Sequence, residues 1–238
     1  MSLTKEKIIN DIYDRRGVLL IPSFAIGRTQ QVTYLIRDLV KQNRIPEINV
    51  HIDSPMAVSV TELYLKYKDY HAIDLDALTG KDSVFDGKHV FLHRDRQSSK
   101  DQNKERGPAV ILSASGMLSG GRILHHMIQR LPKQENTIAL VGYMAEGTLG
   151  RKLADGADLI YIHKQPVEVR AKLVKLYSLS GHADYNEILH WLEPVKAAPR
   201  KVFITHGEPT QSEAMAGHLK TERGWECHIP ALHDTVEL

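Results

Sequence analysis

Short apolar runs separated by helix-length amphipathic stretches fill the first two thirds of the chain. This alternation limits the fold more than any other feature. Gly17-Val18-Leu19-Leu20-Ile21-Pro22 is apolar and closed by proline, which reads as a buried strand. Val32, Leu35, Ile36, Leu39 and Val40 then recur at helical spacing, one apolar face of a helix that starts near Arg28. Residues 48–52 form the next expected strand, and Ser54-Pro55 supplies a cap and a first-turn proline for the helix after it. Further strands are expected at 89–92, 109–112 and 138–141, with helices at 122–131 and 149–154. Strands alternating with helices of this size imply an α/β fold, a Rossmann-like parallel sheet covered on both faces.

The pattern shifts near residue 158. Residues 159–162 read as a strand. Val167, Val169, Ala171 and Leu173 then alternate with Glu168, Arg170 and Lys172, the signature of a half-exposed strand. A helix at 186–192, a strand at 202–205, a helix at 211–223 and a strand at 227–229 follow. The expected domains are 4–162 and 166–238. The stretch 93–107, rich in both charges, reads as a solvated loop, with a ligand-facing loop as the alternative.

Composition narrows the class. The 238 residues are 42% hydrophobic and 25% charged, which excludes a disordered or fibrous chain. No apolar run reaches the roughly 18 residues of a membrane span, so no membrane association is expected. A formal charge of +2 excludes a broadly basic nucleic-acid coat and leaves room for a local basic groove. One cysteine, Cys227, allows no internal disulfide and fits a reducing, cytoplasmic setting. Met1-Ser2-Leu3 lacks the apolar centre of a signal peptide and reads as an expression scar.

The thirteen histidines are the compositional oddity, and their spacing sorts them. Ser180-Gly181-His182-Ala183-Asp184 and Thr205-His206-Gly207-Glu208 each lie past a strand and before a helix, where ligand sites gather in α/β folds. The competing reading is that each histidine caps a helix or packs in a turn. His125-His126 lies in a helix, where neighbours point about 100° apart, so both are read as structural. His51, His89 and His93, in or beside strands, are read the same way. Ser113-Ala114-Ser115-Gly116-Met117 and Ser119-Gly120-Gly121-Arg122 form a small-residue loop between a strand and a helix. Such a loop holds phosphate on its N–H groups at Ser115 and Gly116, with Arg122 adding charge, or is a tight turn that needs glycine. Residues 22–28 form a second such loop. Asp53-Ser54-Pro55-Met56-Ala57 is a third, with Asp53 either a carboxylate at a strand end or, the cheaper explanation, a helix cap. A dinucleotide enzyme is disfavoured, because no Gly-x-Gly-x-x-Gly follows the first strand.

Taken together and in order, Ile21-Pro22-Ser23-Phe24-Ala25-Ile26-Gly27-Arg28-Thr29-Gln30, Asp53-Ser54-Pro55-Met56-Ala57, Ser113-Ala114-Ser115-Gly116-Met117, Gly120-Gly121-Arg122-Ile123-Leu124, Ser180-Gly181-His182-Ala183-Asp184 and His206-Gly207-Glu208 resemble the β-CASP branch of the metallo-β-lactamase superfamily. The likeness runs from about residue 5 to the C-terminus. It implies a β-CASP domain followed by the C-terminal part of an αββα metallo-β-lactamase domain. It further implies a zinc-dependent ribonuclease that carries two zinc ions when complete, with RNA as partner and a homodimer as an admitted assembly. By the same resemblance His182 is the general acid, His206 a metal ligand, and Ser180 and Gly181 hold a substrate phosphate. The loops at 23–28 and 113–122 line the RNA cleft. The family's His-x-His-x-Asp-His core and acidic motif A do not occur in this sequence. The expectation is therefore a fragment of a longer nuclease, inactive alone, with its zinc site incomplete. The alternative is a non-catalytic RNA-binding or scaffold member of the same fold.

Overall fold

The computed structural model describes residues 5–73, 78, 83–104, 106–176, 179 and 181–237. The chain divides into two compact units, residues 1–179 and 180–238.

In the N-terminal unit the order is α1 (Lys5–Arg15), β1 (Val18–Pro22), α2 (Arg28–Lys41), β2 (Asn49–Ile52), α3 (Pro55–Lys66), β3 (Val90–Leu92), α4 (Arg96–Asp101), β4 (Ala109–Ser113), α5 (Arg122–Arg130), β5 (Thr137–Leu140), α6 (Leu149–Ala154), β6 (Leu159–Ile162), β7 (Gln165–Glu168) and β8 (Lys172–Lys175). Six of these strands form one parallel sheet in the order β3-β2-β4-β1-β5-β8. β6 and β7 make a separate antiparallel hairpin. Every residue of β1, β4 and β5 is buried. Their side chains alternate between two cores. Leu19, Ile21, Val110, Leu112 and Ala139 pack with the apolar faces of α1, α2 and α3. Val18, Leu20, Ile111, Ile138 and Leu140 pack with α5, α6 and the hairpin. A sheet covered on both faces by helices is what the continuous apolar runs require.

Three elements depart from the sequence reading. α1 is a full helix whose Ile8, Ile9 and Ile12 form one buried face. The stretch read as a solvated loop holds α4, whose N-cap Asp95 accepts the Ser98 N–H at 2.8 Å. The single alternating strand is two strands, β7 and β8. The N–H groups of Arg170 and Ala171 both donate to the Leu131 carbonyl at 2.8 Å, which turns the chain between them.

The C-terminal unit comprises α7 (Tyr185–Trp191), β9 (Val202–Phe203), α8 (Pro209–Arg223) and β10 (Cys227–His228). β9 and β10 pair in parallel around the α8 crossover. Tyr185 stacks on His218 at 4.0 Å between ring centroids, joining α7 to α8. Gly224 ends α8 in the left-handed conformation usual after a helix. Among the described residues of this unit only Ser212, Leu219 and Trp225 are buried, while Trp191 is 76% exposed.

Candidate functional site

The strand order places a topological switch at β1 and β4. The α2 connection leaves β1 toward β2, whereas α5 carries the chain from β4 past β1 to β5. Ligands of open parallel sheets bind at the carboxyl ends of strands beside such a switch. Here three loops meet. Ser23 N–H donates to the Ser113 carbonyl at 3.0 Å, and Ser113 Oγ donates to the Asp53 carbonyl at 2.8 Å. Gly116 packs so closely that a Cβ would lie 3.1 Å from the Phe24 ring. Ser115 Oγ accepts the Ser119 N–H at 2.9 Å, and Ser115 N–H donates to the Gly120 carbonyl, closing the loop on itself. The Ala114–Ser115 peptide is cis. Ser115, Gly116 and Arg122 thus belong to one loop and the helix start that follows it.

Beneath the loops lies a buried charge network centred on Asp53, which is 0% exposed. Arg122 Nη1 donates to Asp53 Oδ1 at 2.7 Å and to the His93 carbonyl at 3.1 Å, and Arg122 Nη2 donates to the Arg94 carbonyl at 2.7 Å. His126 Nε2 and Ser99 Oγ each lie 2.6 Å from Asp53 Oδ2. Burial alone would raise the Asp53 pKa. Hydrogen bonds from His126, Ser99 and Arg122 outweigh it and hold the carboxyl below its usual value. Asp53 is therefore an acceptor, and His126 donates through Nε2–H.

This corrects two sequence readings. Ser54 caps α3, as Ser54-Pro55 implied, accepting the Ala57 N–H at 3.3 Å, and Asp53 is a strand-end carboxylate instead of a cap. His126 is also more than a packing residue, since it is one of the groups that hold Asp53 charged. The clue was present: Arg122 and His126 are four residues apart on α5, hence on one helix face. What the sequence withheld was that Asp53, from a different strand, lies opposite that face.

Next to this network His51 Nδ1 and His93 Nε2 lie 3.0 Å apart, with His51 also stacked on Phe91. Burial, then the charges of His93 and Arg130, push the His51 pKa down to about 4. His93 is lowered too, chiefly by burial. The unfolded chain, with His51 near 6.5, binds more protons than the folded one between those values. Stability should be full above about pH 6.5 and fall as the pH drops toward 4, by on the order of 3 kcal/mol for His51. Urea unfolding at pH 7 and pH 4.5 checks this. A His51→Gln variant should show a flatter pH slope, and an unchanged slope would remove His51 as the cause.

In the C-terminal unit Gly181 and His182 precede α7, and His206 precedes α8. All three are exposed. Ser180 lies outside the described residues. Neither histidine caps its helix. Asp184 caps α7 in a reciprocal box with Glu187, and Glu208 occupies the cap position of α8. His206 has φ +67°, a conformation uncommon outside glycine, in the turn between β9 and α8. Among the described residues no group of three or more His, Cys, Asp or Glu side chains is placed to hold a metal ion. A zinc site takes three or four protein ligands, so His206 with its described neighbours does not make one.

Family models match both parts of the chain. Residues 29–153 match the Beta-Casp domain, and residues 166–230 match the Zn-dependent metallo-hydrolase RNA specificity domain. The chain belongs to the β-CASP family. Among β-CASP relatives it is similar to Ribonuclease TTHA0252 of Thermus thermophilus, at 35% identity over 97% of this chain and 52% of that protein. It is also similar to the RNase J-like protein of Methanocaldococcus jannaschii (31% identity, 87% and 47%) and to Transcription termination factor FttA of Pyrococcus horikoshii (29%, 98% and 36%). The chain therefore spans about half or less of the length of these relatives. The parallel sheet agrees with the fold that the motifs implied, and no helix among the described residues is long and apolar enough to cross a membrane.

Proposed function

We propose that this chain is the RNA-engaging portion of a zinc-dependent RNA phosphodiester hydrolase and is inactive by itself. The observation that carries the reading is the meeting of three small-residue loops at the switch point of the sheet, in a chain whose C-terminal region matches an RNA specificity domain. Relatives named as ribonucleases support it. In this reading Gly116 offers its backbone N–H to phosphate, Ser115 shapes the phosphate loop through its bonds to Ser119 and Gly120, and Arg122 holds that loop against Asp53. Ser180 and Gly181 hold a second phosphate. His182 protonates the leaving oxygen, and His206 is one metal ligand. The remaining zinc ligands must come from outside the described residues. The reading includes a cytoplasmic setting and a homodimer.

The test compares variants in a longer protein that contains this chain together with a complete His-x-His-x-Asp-His core. His206→Ala should lower both zinc stoichiometry and turnover. His182→Ala should keep its zinc and lose about 10²- to 10⁴-fold in single-turnover cleavage, the range for a general acid. Equal zinc loss in both variants would refute the division of roles. RNA binding without cleavage by the unmutated protein would replace the hydrolase with a non-catalytic binder.

A further inference from the structure

A cavity of about 760 Å³ opens between α4 and α5, with the β6–β7 hairpin as its third wall. It is strongly basic. Arg96, Lys100, Arg122, His125, His126 and His163 line it, and among the described residues no acidic side chain does. Arg122 is already balanced by Asp53. Arg96 and Lys100, four residues apart on α4, are exposed and form no ion pair with a described residue. His163 sits in a two-residue hairpin turn with Lys164, at φ +50° and +65°. That turn usually takes Asn and Gly. Here it sets the His163 ring 5.4 Å from the His125 ring across the cavity wall.

The decisive group is His126. It is 1% exposed, and its Nε2–H is committed to Asp53. Its other nitrogen, Nδ1, is buried without a hydrogen-bond partner, as is Asn103 Oδ1 in the same lining. Buried polar atoms are ordinarily paired. With Nε2–H given to Asp53, Nδ1 keeps its lone pair, so it and Asn103 Oδ1 are two acceptors for a hydroxyl group of a ligand. A concavity of this size, with no acidic side chain among its described lining, two cations at its rim without a described partner and two unsatisfied acceptors on its lining residues, matches a phosphate ester whose attached group carries hydroxyls.

We propose that this cavity binds a phosphate ester, with Arg96 and Lys100 as contacts of its phosphate and His126 Nδ1 accepting from a hydroxyl of its attached group. The phosphate comes from an RNA strand or from a free nucleotide. Only the first source rests on the functional reading above.

The experiment uses the 238-residue chain and records the imidazole Cε1–H signals of His125, His126 and His163. The probes are inorganic phosphate, 5′-AMP and a four-residue oligouridylate. At least one probe should shift all three signals. The Arg96→Ala/Lys100→Ala double variant, altered only at exposed positions, should weaken binding by about tenfold or more. For the oligonucleotide it should also flatten the dependence of log K on log salt by about 1.4, the slope of two single-strand phosphate contacts. His163→Asn, which accepts positive φ, should keep the turn and still weaken binding. Shifts with AMP and phosphate assign a nucleotide, and shifts with the oligonucleotide alone assign the RNA backbone. No shift with any probe, or shifts indifferent to the double variant, overturns the site. Binding here with intact cleavage in His182→Ala would remove the catalytic reading and leave this one standing.

Discussion

Asp53→Asn should destabilise the N-terminal unit by about 3 to 5 kcal/mol, the cost of removing one partner from a buried ion pair. The side chain keeps its shape, so the loss is electrostatic. The Arg122 guanidinium keeps its part-buried place without a counter-charge. An amide NH₂ group then faces one of the donors Arg122, Ser99 or His126, which now hold the two carboxylate oxygens. A domain is typically stable by only about 5 to 15 kcal/mol, so this is a large share. The control is Ser54→Ala, which removes only the α3 cap and should cost about 1 kcal/mol. Urea midpoints for the two variants, with unchanged slopes, separate the effects. A midpoint for Asp53→Asn no lower than that for Ser54→Ala would show that the network does not bear on stability.

Gly121→Ala should be the second severe change, at about 3 kcal/mol or more. Gly121 has φ +83° and ψ −176°, a region open in practice only to glycine. A Cβ there would stand 2.3 Å from the Ala114 carbonyl oxygen, a backbone atom with no rotamer by which to yield. The chain must therefore shift at the junction that joins Ser115 and Gly116 to Arg122. Gly120→Ala, one residue earlier, meets open space and should be nearly neutral. Thermal unfolding of the pair gives the comparison. Similar melting temperatures for the two alanines would mean that the loop relaxes freely and does not fix the geometry of the site.

Much of the sheet was legible because burial on both faces leaves a simple mark. Val18-Leu19-Leu20-Ile21 and Ala109-Val110-Ile111-Leu112 carry no polar residue, and each became a fully buried strand. The N-terminal helix was missed because three apolar residues are too few to show a clear period. Its apolar face is only Ile8, Ile9 and Ile12 within a charged stretch. α4 was hidden by its short length and polar surface, since nothing in Arg96–Asp101 signals burial. The site divides along the same line. The glycine-rich loops are local, so their turn chemistry could be read directly. The Asp53 network joins three elements across 73 residues, from Asp53 to His126, and periodicity carries no information on such a meeting.

The pairing of β1 sets a timetable for the nascent chain. Val18 through Pro22 pair on one side with Ala109–Ser113, and Leu19 and Leu20 pair on the other with Thr137 and Ile138. The central strand is therefore synthesised well before its partners, and its first neighbour follows about ninety residues later. At roughly 5 to 20 residues per second, the ribosome leaves Val-Leu-Leu-Ile without a partner strand for about 5 to 20 seconds. Such a segment is strongly apolar and β-prone, the kind that associates with other chains while it waits. A sheet that gains its burial from distant pairings thus makes its most apolar strand the one most in need of protection during synthesis.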